Sequence, residues 1–416
     1  MRLDIGNALA AVATPGVPRE ALARLDERVA DCHDRIERER AAGTDGYRAL
    51  DLPRTTDTDA IRAVVDPFRD AEAVLTVGIG GSALGARTLV TALGTAGAPA
   101  YFLDNIDPAY VARVLGELPL SGTAVNVVSR SGTTVETLAN LRAVRTALER
   151  AGIDWTDRTF VTTGPDGRLR ELADRHDLPV LDVPSGVPGR FSALSPVGLA
   201  SAALLGYDIG AVLAGARDVT LQGSLFECPA YAYGAVAYAL ARRGASANVV
   251  MPYAEALAPF TEWFAQLWAE SLGKGGTGQT PVRALGATDQ HSQLQLYRGG
   301  PRDKLVTLLR PAEWPTAAPD GRRLADRMDA AFRATEASLA AASRPTVRIE
   351  VDGLDERSLG RLLYGMEAAC VLAAELFGVD AFTQPAVEWG KRAARSLAEG
   401  DQLPDSAPDE RTLRIE

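Results

Sequence analysis

Two periods alternate along this chain. From Ala73 onward, short apolar runs ("AVLTVGI", "PAYFLD", "AVNVVS", "TFVTT", "PVLDV") are separated by amphipathic segments ("GARTLVTAL", "PAYVARVLGEL", "TVETLANLRAVRTALERAG", "DGRLRELADRHD"). Runs of five to seven residues without polar alternation predict strands buried on both faces, and the 3.6-residue period between them predicts covering helices. The expected product is an α/β fold with a parallel sheet. After a helical transition around "LSPVGLASAALLGYDIGAVLAGARDV", a second alternation begins: "SANVVMPY", a Trp-rich helix, "VRALGA", "KLVTLLRP", a helix near 321–343, "TVRIEVD" and a helix near 355–377. The pattern predicts two tandem three-layer αβα sandwiches with helical segments at both ends. The expected boundaries are an Arg-rich helical extension at 1–55, a first sandwich at 56–208, a second at 209–380, and a C-terminal helix and tail at 381–416.

Composition narrows the function. The 416 residues are 46% hydrophobic and carry a net charge of −10, which disfavours a nucleic-acid groove. Apolar runs fall short of a membrane span, and the first residues lack a secretory pattern. Three widely spaced cysteines (Cys32, Cys228, Cys370) show no metal-ligand spacing and fit a reducing cytoplasm. No metal or cofactor is expected. Of the 44 basic residues only Lys274, Lys304 and Lys391 are lysines, so a retained lysine draws interest.

The stretch "VVSRSGTTVET" places hydroxyls between a strand and a helix. The carboxyl end of a parallel strand faces a helix N-terminus there, where unpaired N–H groups and the dipole favour an anion. Ser129, Ser131, Thr133 and Thr134 add hydroxyl donors, and Gly132 lets the backbone approach closely. The GK[ST] ending of a P-loop is absent, so a small phosphomonoester is the expected occupant. Thr133 and Glu136 also match a capping box, which would account for about two of the hydroxyls. A second loop, "VGIGGSALGAR", satisfies G-x-G-x-x-G/A through Gly78, Gly80 and Ala83, with Asp104 ending the next strand. A nicotinamide-dependent oxidoreductase is therefore a competing expectation.

Six stretches in order, "VGIGGSALGAR", "VVSRSGTTVET", "PGRFSALSPVGL", "WAESLGKGG", "ATDQHSQLQL" and "TQPAVEWGK", resemble the motif series of the glucose-6-phosphate isomerase family. The resemblance spans Gly78 to Lys391. It implies two sugar-isomerase (SIS) domains and a homodimer whose active sites lie at the subunit interface. It also implies interconversion of glucose 6-phosphate and fructose 6-phosphate through an enediol(ate). The phosphate loop departs from the family's S-K-T-x-T-T: Arg130 replaces lysine, Ser131 replaces threonine, and Gly132 stands where many members carry an aromatic residue.

Aldose–ketose exchange moves a proton between C2 and C1, which needs a base, an enediolate stabiliser and an acid/base pair for ring opening. Glu270 is the expected base. Gly273 is expected to end its helix, so the carboxylate lies in the last turn and opposes the dipole, favouring retention of a proton near neutrality. Gln266, one turn earlier, fits a helper position. His291 is expected in the first turn of a helix capped by Thr288 or Asp289, kept neutral by the dipole. His33 and His176 lie among charges and are expected to be exposed. By resemblance, His291 comes from the partner subunit and serves ring opening with Lys391. Gln384, Glu388 and Lys391 are expected on one helix face, with Gln384 a sugar contact. By resemblance Arg190 stabilises the enediolate, and Gly81, Ser82 and Arg130 join the hydroxyls in binding substrate. Lys274 is expected to support the base's loop or to cap the helix. A relative also accepting mannose 6-phosphate, or a non-catalytic sugar-phosphate sensor, remains compatible with the same residues.

Overall fold

The five apolar runs of the first half form β2 (Ala73–Val77), β3 (Ala100–Leu103), β4 (Thr123–Ser129), β5 (Thr159–Thr163) and β6 (Val180–Asp182). These lie within a computed structural model that describes residues 1–94 and 97–398. All five pair in parallel, in the order β3-β2-β4-β5-β6. Every residue of β2, β4 and β5 is buried. Leu75, Val77, Val125, Val127 and Val161 pack with Leu141, Val144 and Leu148 of the helix Val135–Arg150. Covering both faces leaves no exposed position, which is why these strands read as largely apolar runs, and the polar side chains they do carry are paired inside: Thr76 with Ser201, and Thr162 donating to Asn126. The chain steps outward from β2 to β3, then returns to place β4 on the other side of β2. That reversal opens a crevice above the carboxyl ends of β2 and β4.

The second sheet contains β7 (Ala247–Pro252), β8 (Thr280–Arg283), β9 (Lys304–Pro311) and β10 (Thr346–Val351), again parallel. Its order is β10-β9-β7-β8, extended beyond β10 by one edge strand. The edge strand β1 is Arg2–Asp4, antiparallel to β10 with Leu3 opposite Ile349. Arg2 pairs with Glu350 at 3.0 Å and Asp4 with Arg348 at 2.6 Å. The expectation of a purely helical N-terminal extension is corrected here: its first residues complete the second sheet. The long helix within it does form, as Arg19–Ala41, and buries Leu22, Leu25, Val29, Cys32 and Ile36 at alternating three- and four-residue spacing.

That helix packs on Glu356–Phe377, which is buried on nearly every side. Glu367 lies in it, wholly buried, with neither carboxyl oxygen hydrogen-bonded. Burial raises its pKa well above the ordinary carboxylate value. Two histidines differ from expectation. His33 is half-buried with Nδ1 3.3 Å from the Tyr231 hydroxyl, and His176 is half-buried with its ring 5.2 Å from that of Trp155. Among the described residues, no helix is long and apolar enough to cross a membrane.

Residues Met1–Ala381 form one compact unit, and a second begins at Phe382. The second contains the helix Ala386–Ala398.

Candidate active site

Two loops rise at the crevice between β2 and β4. After β2 the chain turns through Gly80, at φ +58°, into a short 3-10 turn, Gly80–Ser82, and then the helix Leu84–Leu93. A Cβ on Gly81 would stand 2.3 Å from the Gly189 carbonyl oxygen and 2.8 Å from the Arg190 nitrogen. The glycine therefore lets the Gly189–Phe191 turn lie directly against the first loop. Ser82 is half-buried beside it. Asp104, which a dinucleotide fold would turn toward a ribose, pairs instead with Arg87 at 2.8 Å. Both features of the dinucleotide fingerprint are thus occupied by contacts within the protein.

The hydroxyl loop follows β4. Its helix begins at Val135, with Thr134 in the N-cap position and no side-chain cap bond. The capping-box expectation on Thr133 is corrected by one residue, and the reason is local. Ser129 and Thr134 hydroxyls lie 3.0 Å apart, Ser131 and Thr134 hydroxyls 3.4 Å apart, and the Thr133 hydroxyl donates to Ser131 Oγ at 3.2 Å. The hydroxyls hold one another, so the first-turn N–H groups of the helix have no side-chain cap. Arg130 is exposed and donates from Nη1 to the Val187 carbonyl at 3.0 Å, which ties this guanidinium to the neighbouring loop. Gly132 sits at φ +62°, and a Cβ there would be 2.7 Å from the Asp166 carbonyl oxygen. Backbone fills the space an aromatic side chain would need.

The helix Ala258–Leu272 carries Glu270 and packs against the helix Leu84–Leu93 of the first sheet. It ends at Gly273, as its sequence suggests. Gln266 Nε2 donates to Glu270 Oε1 at 3.1 Å, and a Cβ on Gly80 would be 2.9 Å from that same nitrogen. Arg190, 2% exposed, donates from Nη1 to Glu270 Oε2 at 3.2 Å, from Nε to Ser271 Oγ at 2.8 Å, and from Nη2 to the Ala381 carbonyl. Burial pulls the Arg190 pKa down and the Glu270 charge partly restores it. The Glu270 side chain keeps 30% exposure, so it can meet a ligand from the open side. Gln266 Oε1 is buried and lacks a hydrogen-bond partner.

Lys274 Nζ donates to the carbonyls of Glu270 and Ser271 at 2.8 and 2.7 Å, capping the helix as expected. Its pKa is lowered, first by burial and then by Arg190. Ser271, the Arg190 acceptor, is a site residue that the sequence motifs did not single out. A lone hydroxyl in the stripe Phe260, Phe264, Leu267 was the available signal. Cys370 lies behind it, with Sγ 3.5 Å from the Leu267 carbonyl and its pKa pushed up to about 12 by burial.

His291 does not open a helix. It is exposed, follows the 3-10 turn Thr288–Gln290, and the next helix starts at Leu294. Asp289 is drawn away to accept from the Leu285 N–H at 2.7 Å and the Ser292 hydroxyl at 2.5 Å, which breaks the expected cap. Among the described residues His291 makes no side-chain hydrogen bond or ion pair. In the second unit, Lys391 pairs with Glu388 at 2.9 Å, and Gln384 precedes the helix Ala386–Ala398 rather than sharing its face. Among the described residues no cluster of three or more His, Cys, Asp or Glu side chains could hold a metal ion.

Fold and loops together define a doubly wound α/β protein with an anion-ready crest beside a carboxylate–guanidinium pair. The model of the family "Phosphoglucose isomerase" matches residues 60–291. A relative from Natronomonas pharaonis, named "Probable glucose-6-phosphate isomerase", is 62% identical over all of this chain and 99% of its own length. The crystal structure of a hypothetical protein from Thermus thermophilus superposes with a TM-score of 0.83 at 33% identity, covering 95% of this chain and 99% of that one. A glucose-6-phosphate isomerase from Chlamydia trachomatis gives 0.78 at 20% identity, over 92% and 86% of the two chains. The chain belongs to the phosphoglucose isomerase family.

Proposed function

We propose that this protein interconverts glucose 6-phosphate and fructose 6-phosphate through a cis-enediol(ate), without a cofactor. The names of its relatives support the reaction. The observation that carries the mechanism is the grip on Glu270: one carboxylate oxygen accepts from Gln266 and the other from Arg190, with the open side left to a ligand. The phosphate sits in the hydroxyl loop, held by Ser129, Ser131, Thr133 and Thr134 and by the uncapped helix N-terminus, with Gly81 and Ser82 beside it. Arg130 steadies that loop.

Glu270 takes the C2 proton of the open-chain aldose and returns it to C1 of the enediol(ate) while the hydroxyl proton passes from O2 to O1, and the reverse reaction uses the same group. Arg190 is charged in either direction and stabilises the enediolate oxygen. Its fork is fixed by Ser271 and Ala381, so little reorganisation is needed as charge develops. His291 from a second copy, together with Lys391, assists ring opening, with Gln384 a sugar contact. This makes the working enzyme a homodimer. Three buried cysteines without disulfides agree with a cytoplasmic setting.

The test is interconversion of the two sugar phosphates by wild type and Glu270→Gln, with EDTA and no added nucleotide. Loss of on the order of 10³-fold or more in kcat with retained sugar-phosphate binding is expected for removal of the base. Turnover within a few-fold of wild type would refute the assignment of Glu270. Binding without wild-type turnover would turn the reading toward a sensor, and turnover of mannose 6-phosphate would widen the substrate range.

A further inference from the structure

A second concentration of positive charge lies away from Glu270. The helices Val135–Arg150 and Arg168–Arg175 flank a groove of about 620 Å³, within the range of small-molecule sites. Leu138, Leu141 and Leu172 give it apolar lining. Arg142, Arg145, Arg168 and Arg175 also line it, against Glu149 and Glu171. Arg145 and Glu149 neutralise one another at 2.6 Å. Arg142, Arg168 and Arg175 are exposed and make no ion pair among the described residues. Neighbouring Arg170, by contrast, pairs with both Asp174 and Asp182. Three unpaired guanidiniums and one unpaired carboxylate therefore share a groove in a chain of net charge −10.

We propose that this groove binds a small polyanion, a molecule with two or more phosphate or carboxylate groups, and that its occupancy is transmitted to the hydroxyl loop. Guanidiniums suit this class because each offers paired N–H donors to a phosphate or carboxylate. Transmission follows from how Arg168 is mounted. The residue before it, Gly167, lies at φ +98°, where a Cβ would be 2.5 Å from the Ser131 carbonyl oxygen and 3.0 Å from Gly132 Cα. The residue after it, Leu169, donates its N–H to the Gly132 carbonyl at 2.9 Å. Arg168 is thus flanked on both sides by backbone contacts to the loop, and a ligand pulling on its side chain bears on Ser131 and Gly132. Arg142 extends the same coupling, since its helix begins at the loop.

Tripolyphosphate is the probe, used at low ionic strength so that screening does not mask the groove. Calorimetry first records fructose 6-phosphate binding, then titrates tripolyphosphate into enzyme saturated with that sugar phosphate, which keeps the hydroxyl loop filled. Absence of the first heat would count against the substrate reading, on which the coupling half of the proposal rests, and would leave the groove to be titrated alone. Wild type should bind tripolyphosphate, and R142Q/R168Q/R175Q should bind it about tenfold more weakly or worse. Equal affinity in the two proteins, or a heat abolished by fructose 6-phosphate, would overturn the groove as a site. Bound tripolyphosphate should change the KM for fructose 6-phosphate about fivefold or more in wild type and leave the triple variant unchanged. Intact groove binding with an unaltered KM would overturn the coupling.

Discussion

Glu367 offers a sharp test of the interior. It is wholly buried in the helix Glu356–Phe377, both carboxyl oxygens lack partners, and burial raises its pKa well above the ordinary value. Below the range in which an unfolded glutamate titrates, both states hold the proton and the group has no effect on pH dependence. Above it, the unfolded chain ionises while the folded chain keeps the proton. Each further pH unit then costs the native state about 1.4 kcal/mol, until the buried group itself ionises. For a chain of 416 residues that slope corresponds to roughly 1.5 °C of Tm per pH unit. Glu367→Gln removes this titration while leaving the others in place. The difference in Tm between variant and wild type, measured by scanning calorimetry from pH 5 to 7.5, should therefore widen in the variant's favour as pH rises. Glu367→Met should add about 1–3 kcal/mol even near pH 4.5, because it deletes two unpartnered oxygens. Parallel Tm curves across the whole pH range would refute the reasoning, since they would mean that Glu367 is ionised and paired in the fold.

Two other substitutions probe the site. Ser271→Ala removes the hydroxyl that accepts from Arg190 Nε at 2.8 Å, a buried hydrogen bond to a charged group, which should cost about 1–3 kcal/mol in urea unfolding and also lower kcat. Unchanged stability would mean that Arg190 finds another acceptor. Gly132→Ala places a Cβ at φ +62° against the Asp166 carbonyl, a strain of about 1–2 kcal/mol or more. It should raise the KM for fructose 6-phosphate more than it lowers kcat, and the reverse pattern would remove Gly132 from phosphate binding.

The strands and covering helices were readable because burial on two faces favours short, mostly apolar runs without period-2 alternation, and no distant contact is needed to see them. The base helix and its stop at Gly273 were equally plain. Other features depended on tertiary neighbours. Thr133 and Thr134 are both acceptable caps, and only the mutual bonding of the hydroxyls selects Thr134. In a chain so rich in arginine, Arg130 and Arg190 look alike. One lies exposed against a loop carbonyl, the other buried against Glu270, and nothing local separates them. Charges flanking His33 and His176 suggested solvent, yet Tyr231 and Trp155 reach them from elsewhere in the chain. The edge strand Arg2–Asp4 is too short to carry a period at all.

That edge strand has a consequence for the order of events during synthesis. Its ion-pair partner Arg348 lies 344 residues downstream of Asp4. At a translation rate of about 5–20 residues per second, the residues of that strand wait roughly 20–70 s after their own synthesis for the strand they join. The first sheet, by contrast, draws all its strands from Ala73–Asp182 and can assemble while the rest is still being made. The second sheet is therefore sealed last, by a segment made some 344 residues before its partner.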